Sequence, residues 1–179
     1  MTARGFFIHP HALVESESIG AGTRVWAFAH VLSGAVVGAD CNVGDHAFVE
    51  GGAVLGDRVT LKNGVAVWQG VTLEDDVFVG PYAVFTNDLV PRSKRPWTMV
   101  PTLVRQGASI GANATIVCGI TIGRYAMVGA GAVVTKDVPD HALVVGCPAR
   151  PVGLVCVCGR RLPGGDAPIC AACGLRHVP

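Results

Sequence analysis

Aliphatic side chains recur along this chain at every sixth position. From Leu13 the series runs through Ile19, Val25, Val31, Val37, Val43, Val49, Leu55, Leu61, Val67, Leu73 and Val79 to Phe85 without a polar substitution. It resumes, shifted by one residue, at Val104 and continues through Ile110, Ile116, Ile122, Val128 and Val134. Two residues before the aliphatic position there usually stands a small or β-branched residue, as in Thr23, Ala29, Ala35, Ala47, Ala53 and Val59. Glycine often follows it, as at Gly20, Gly38, Gly44, Gly56, Gly80, Gly111, Gly123 and Gly129. Neither a helix nor an ordinary strand repeats every six residues. A six-residue unit fits a short strand plus a corner, with glycine relieving the bend.

Three such units predict a triangular coil of eighteen residues. Coils stacked at the strand spacing of about 4.8 Å pair each backbone group with the coil above or below. Their inward aliphatic residues then form one continuous core. Residues 13–84 make four coils and residues 104–139 two more, a prism about 30 Å tall. A β-sandwich would instead show turns at irregular intervals. The fold class is therefore all-β, a parallel β-helix of triangular coils with one extruded loop at about residues 86–103.

That loop interrupts the period at "VFTNDLVPRSKRPW" (84–97). Between Asp88 and Val104 it carries Arg92, Lys94 and Arg95 and no acid, a charge pattern suited to an anionic ligand. A three-faced prism has no cleft of its own, so a site must come from this loop, from a neighbouring subunit or from both. Stepping back eighteen residues from Asn87 reaches Gln69, then Gly51, then Ser33, one column on the coil surface. The same step places Tyr82 above Gly64 and His46.

The six-residue signature resembles the hexapeptide-repeat acyltransferases over about residues 8–151. The resemblance implies a left-handed coil. "DVPDHALVVGCPARPVG" (137–153) is similar to that family's exit from the coil. Within it, Gly80, Pro81, Phe85, Thr86, Asn87, Asp88, Pro91 and Arg92 resemble a narrower group. These are the N-acetyltransferases of nucleotide-linked 3-amino sugars, which serve O-antigen and other surface glycans. "GTRVWAFAHV" (22–31) and "LKNGVAV" (61–67) look like the same group's early coils, although Ala27 stands where its members often carry histidine.

The resemblance implies an acetyl-CoA-dependent transfer to the sugar amine, with Asn87 orienting the amine as the catalytic residue. Tyr82, Asp88, Arg92, His30 and Gln69 are the expected substrate contacts. The acetyl donor is expected along the later coils, at Gly107, Ala108, Ala126, Lys136 and Arg150, in the groove between subunits of a homotrimer. Other acyltransferases of this fold use a histidine base. Of the six histidines, His9 and His11 precede the coils, His141 lies at their exit, His177 is in the tail, and His30 and His46 are expected at corners.

Composition narrows the partners. Hydrophobic residues make up 50% of the chain and the formal net charge is +1, which gives no reason to expect nucleic acid or membrane partners. No signal-peptide or membrane-span pattern is present, and a cytoplasmic enzyme is expected. The seven cysteines agree: Cys41, Cys118 and Cys147 are scattered, whereas Cys156, Cys158, Cys170 and Cys173 cluster. The clustered pairs flank "PGGD" (163–166), which reads as a hairpin turn. Four thiolates on two short loops suit tetrahedral zinc, with His177 a possible replacement ligand. The pattern divides the chain into a coil domain, 1–151, and a zinc-ribbon-like tail, 152–179.

Three other functions compete. An acyltransferase with a hydroxyl or amino-acid acceptor would share the coil. A carbonic anhydrase of the same coil would need a His-x4-His pair, which is absent. A non-catalytic scaffold would have no use for the "FTND" loop.

Overall fold

The computed structural model describes residues 5–164 and 168–177. Within them each repeat unit forms a strand of two or three residues followed by a tight corner, giving strands β1 (Phe7–Ile8) to β20 (Val133–Val134) around the coil. They stack into three parallel sheets, one per prism face. Neighbours pair eighteen residues apart, as in Arg24 with Asn42 and Thr60 with Phe78. Across the loop the interval widens: Val84 of β14 (Val84–Phe85) pairs with Thr115, thirty-one positions on. The thirteen extra residues are the extruded segment, as the interrupted period predicts.

From Val25 onward both periodic positions of each unit point inward, whereas Leu13, the expected start of the series, is exposed and Val14 takes its inward place one residue later. Val25, Val43, Leu61, Val79, Ile110 and Val128 are fully enclosed, and so are the small partners Ala35, Ala53, Val59 and Ala114. One core cluster runs from Val25 to Val144. The ladders satisfy the backbone between coils, so burial costs few unpaired polar groups.

The corners are β-turns in which the third residue has positive φ. Phe28, His46, Gly64, Tyr82 and Asn113 hold it at one corner, Gly22, Asp40, Arg58, Asp76, Gly107 and Tyr125 at a second, and Gly34, Gly52, Gly70 and Gly119 at the third. The glycine directly after each aliphatic residue has a different purpose from the bend relief expected of it. A Cβ on Gly38 would stand 2.4 Å from the Gly56 carbonyl oxygen, and one on Gly20 would stand 2.4 Å from the Ala39 nitrogen. Glycine is required there because two coils touch, while the bend itself lies two residues later.

The coil is longer than the repeat alone indicates. It begins at β1, whose Phe7 pairs with Arg24, and ends at β21 (Ala142–Val145), whose Leu143 pairs with Met127. About eight turns result, spanning about 34 Å at the strand spacing. These end turns use intervals of seventeen and sixteen residues, which an eighteen-residue frame misses. The chain then reverses into β22 (Arg150–Leu154), antiparallel to β21, and the expected boundary at 151/152 falls inside that strand. Among the described residues no helix is long and apolar enough to cross a membrane.

Candidate functional site

The interrupted period delivers its polar residues to one edge of the prism. After β14 the chain leaves the core at Thr86, whose Oγ1 accepts the Cys118 N–H at 3.0 Å. Asn87 follows, half-buried and directly above Gln69: its Nδ2 donates to the Gln69 carbonyl at 3.3 Å. The loop closes where the Val100 N–H donates to the Asn87 carbonyl at 2.9 Å. Asn87 is therefore gripped by both its side-chain nitrogen and its backbone oxygen. Its Oδ1 has no partner among the described residues and remains free to accept an N–H.

Gln69 is fixed from below, since its N–H donates to Glu50 Oε2 at 2.7 Å. Glu50 was absent from the expected site. Adding eighteen to its number reaches Trp68, beside Gln69, so this contact is legible in the repeat. The Asp88 carboxylate accepts the Val90 N–H at 2.8 Å, an Asx turn that starts the loop. Residues 89–99 are exposed, Arg92, Lys94, Arg95 and Trp97 among them, and Arg92 donates to the neighbouring Pro91 carbonyl. Met99 covers Gly70, so the returning strand of the loop packs on the glycine corner.

Tyr82 occupies the adjacent corner of the same coil and lays its ring over Gly64. Below Gly64 that corner continues as a stack of rings, with His46 on Phe28 at 5.0 Å and Phe28 on His11 at 5.6 Å.

His30 is not on a corner as expected. It belongs to β5 (His30–Val31), on the face that carries β14 three strands higher. Three spacings separate it from the Asn87 level by about 14 Å, too far for both to touch one amine. Its Nε2 faces Glu15 Oε1 at 3.5 Å and its ring meets Phe48 edge-on at 5.7 Å, with Phe48 in turn against Trp68. His30 and Asn87 thus mark two ends of an elongated face.

The expected donor residues divide. Lys136 and Arg150 are exposed, and Gly107, with φ of 70°, lies under the Tyr125 ring. Ala108 and Ala126 are fully enclosed in the core, so their side chains are not available to a cofactor. They fall on the small inward position of the repeat, a placement the six-residue period itself specifies. Only their backbone faces the next coil, with the Ala126 carbonyl accepting the Ser109 N–H.

Among the shallow depressions of the prism, one of about 420 Å³ is lined by Glu74, Asp75, Gln106 and Arg124, and one of about 470 Å³ lies at the loop base, lined by Gly70, Thr72, Val100, Pro101 and Gly119. Asn87 lines neither. Beside the first, the Arg58 guanidinium bonds Asp76 and holds its carboxyl below the usual range. Both groups are solvent-facing, and the pair ties two coils together at a corner.

The four clustered cysteines converge. All four Sγ atoms lie within 4.8 Å of one another, with Cys156 to Cys173 at 3.5 Å and Cys158 to Cys170 at 3.6 Å. A tetrahedral zinc with Zn–S bonds of about 2.3 Å requires sulfur separations of about 3.8 Å, so the quartet fits the ion. Backbone N–H groups of Cys173 and Ala172 draw the Cys170 thiol down to about 6, while burial pushes Cys156 up to about 12. His177 is not part of the group; its ring sits edge-on to His141 at 5.1 Å. Gly165 and Asp166 of the expected turn lie outside the described residues.

Comparison with known proteins follows the same lines. The family described as bacterial transferase hexapeptide (six repeats) matches residues 18–51 and 101–136. The chain is 52% identical over 172 residues to a dTDP-3-amino-3,6-dideoxy-alpha-D-galactopyranose 3-N-acetyltransferase from Aneurinibacillus thermoaerophilus, covering 96% of this chain and 90% of that protein. It is 32% identical over 153 residues to the bifunctional protein GlmU of Nitratidesulfovibrio vulgaris, of which it spans 33%. Among solved structures it is similar to the acetyltransferase domain of PglB from Neisseria gonorrhoeae FA1090 in complex with acetyl coenzyme A. There the identity is 26% and the TM-score 0.57, over 83% of this chain and 58% of that one.

Proposed function

The chain belongs to the bacterial hexapeptide-repeat transferases, and from that premise we propose that it acetylates the 3-amino group of a nucleotide-linked amino sugar with acetyl-CoA. The 52% identity to a dTDP-3-amino-sugar 3-N-acetyltransferase, over nearly the whole of both chains, supports the reaction and favours dTDP as the nucleotide. The similarity to an acetyl-CoA-bound acetyltransferase domain supports the donor. One observation in this chain carries the site: Asn87 is held at Nδ2 and at its carbonyl, with Oδ1 free.

The chemistry needs little more. An amine of pKa about 8 is roughly a tenth neutral at pH 7, so a strong protein base is not required. Asn87 Oδ1 accepts one N–H and aims the nitrogen lone pair at the thioester carbonyl. The new C–N bond forms as the C–S bond breaks. The departing thiolate, with a pKa of about 8.5, takes the surplus proton from nitrogen.

Arg92 and its basic neighbours sit where they would meet the anionic part of a nucleotide sugar, with Tyr82 and Gln69 beside Asn87. His30 and Glu15 would meet the substrate's far end, which the 14 Å separation suits. Lys136 and Arg150 are the groups left for the donor's phosphates. The prism supplies one wall of a site, and a trimer would supply the second. Acetyl-CoA, nucleotide sugars and seven unpaired thiols all suit the cytoplasm, and surface-glycan synthesis, lipopolysaccharide included, is the pathway class that consumes such a product. Zinc in the cysteine quartet is structural in this reading, because four thiolates leave no open coordination position.

Thiol release from acetyl-CoA, measured across dTDP- and UDP-linked 3-amino sugars, 4-amino sugars, simple hydroxyl acceptors and amino acids, tests the assignment. The expected result is release with a 3-amino nucleotide sugar at least tenfold faster than with any other acceptor. Preference for a hydroxyl or amino-acid acceptor would overturn it.

A further inference from the structure

The cysteine tail has too small a core to order itself. Among the described residues its buried cluster consists of Cys156, Leu162 and Cys170. It folds as two separate loops. In the first, Val155 bridges Arg161 and the Cys156 N–H donates to Arg160; in the second, Ile169 bridges Arg176 and the Cys170 N–H donates to Leu175. Among the described residues no backbone hydrogen bond joins one loop to the other. What they share is four sulfur atoms, two from each loop, within 4.8 Å.

Both loops nevertheless reach the same residue of the last coil turn. The Val155 N–H donates to the His141 carbonyl at 2.8 Å, and His141 Nδ1 lies 3.0 Å from the Val155 carbonyl. From the second loop, the His177 ring meets the His141 ring edge-on at 5.1 Å. His141 itself has φ of 60° and stacks on Tyr125 at 5.4 Å, which covers Gly107 in the coil below. One corner column of the prism therefore continues directly into the tail.

Resting on the zinc assignment made above, we infer that a zinc ion in the quartet closes a ring through His141 and clamps the end of the coil. The ring runs from His141 to Val155 and Cys156, through the metal to Cys170 and Cys173, and back by way of His177. Without the ion the ring is weak at its centre, because apposed thiols supply only S–H···S contacts and no coordinate bond between the loops. Zinc supplies four, at about 2.3 Å each. Its binding energy then falls on the ordering of residues 141–155 as well as on the tail. The last turn has no further coil above it and only the antiparallel β22 along one face, so this clamp adds to the support that inner turns receive from both sides.

The test uses the full-length protein and zinc itself. Elemental analysis is expected to find about one zinc per chain, and a Cys158→Ser/Cys173→Ser double variant to lose it. Removing the ion from the folded wild-type protein with a chelator gives a second route should the variant not fold. Amide exchange in the zinc-free protein is expected to quicken at least tenfold at Val155 and His141, with Val43 and Leu61 in mid-coil unchanged. His177→Ala should keep its zinc and quicken exchange at the same two amides by a smaller factor. Protein without zinc would overturn the metal assignment and the clamp with it. Bound zinc whose removal leaves Val155 and His141 as protected as before would overturn the clamp alone. Neither result bears on acetyl transfer, which the acceptor panel decides separately.

Discussion

In the proposed reaction Asn87 would carry the chemistry, because its amide is divided between two tasks. Nitrogen and backbone oxygen anchor it to Gln69 and Val100, and Oδ1 is left for a substrate. Asn87→Ala removes the acceptor while leaving the coil below intact, and kcat is expected to fall by one to three orders of magnitude, with little change in thermal stability. Steady-state kinetics beside a melting curve checks this; an unchanged kcat would take Asn87 out of the mechanism. The Asn87–Gln69 column was legible from the eighteen-residue step, because a strict repeat converts sequence distance into spatial adjacency. His30 was placed one element out. Its resemblance to a family segment says nothing about whether it falls on strand or corner, and only the structure puts it on the Asn87 face at a distance of about 14 Å.

At the scale of the element, the informative feature is the third corner, where Gly34, Gly52, Gly70 and Gly119 all have positive φ. The other two corners mix glycine with histidine, tyrosine, aspartate or arginine in that conformation, so what each glycine of the third corner faces differs by position. A Cβ on Gly70 would stand 2.2 Å from the Met99 sulfur, whereas one on Gly34 would meet nothing closer than 3.8 Å. Gly70→Ala and Gly34→Ala should each cost about 1 kcal/mol for the left-handed backbone, lowering Tm by a few degrees. Only Gly70→Ala also lifts Met99 and loosens the loop base. Limited proteolysis within 89–99 should therefore accelerate severalfold in Gly70→Ala and not in Gly34→Ala. Equal cleavage of the two would mean that Met99 does not hold the loop. The loop's existence and its thirteen-residue excess were written in the broken period. Its seating on glycine was not, since no repeat governs residues 88–101.

For the whole molecule, the prism exposes three faces and gathers its candidate residues on one edge with a single wall. In the proposed site the second wall would come from another copy, with a trimer setting three such grooves around one axis. Light scattering should give a mass about three times the 18.5 kDa of the chain, independent of dilution through the micromolar range. A monomer at assay concentration, still active, would remove the shared groove from the proposal.

The sequence by itself determined the architecture, the column of polar residues under Asn87, the point of chain ejection and the four thiol positions. All of these follow from residue spacing, which in a stacked coil is equivalent to position. Tertiary structure alone decided the rest: the extra turns at both ends, the strand placement of His30 and the docking of both cysteine loops on His141. These depend on irregular intervals of seventeen and sixteen residues, on which way a side chain points, and on contacts between segments that share no period. Periodicity carries information only where the chain repeats, and the ends, the loop and the tail are where it stops.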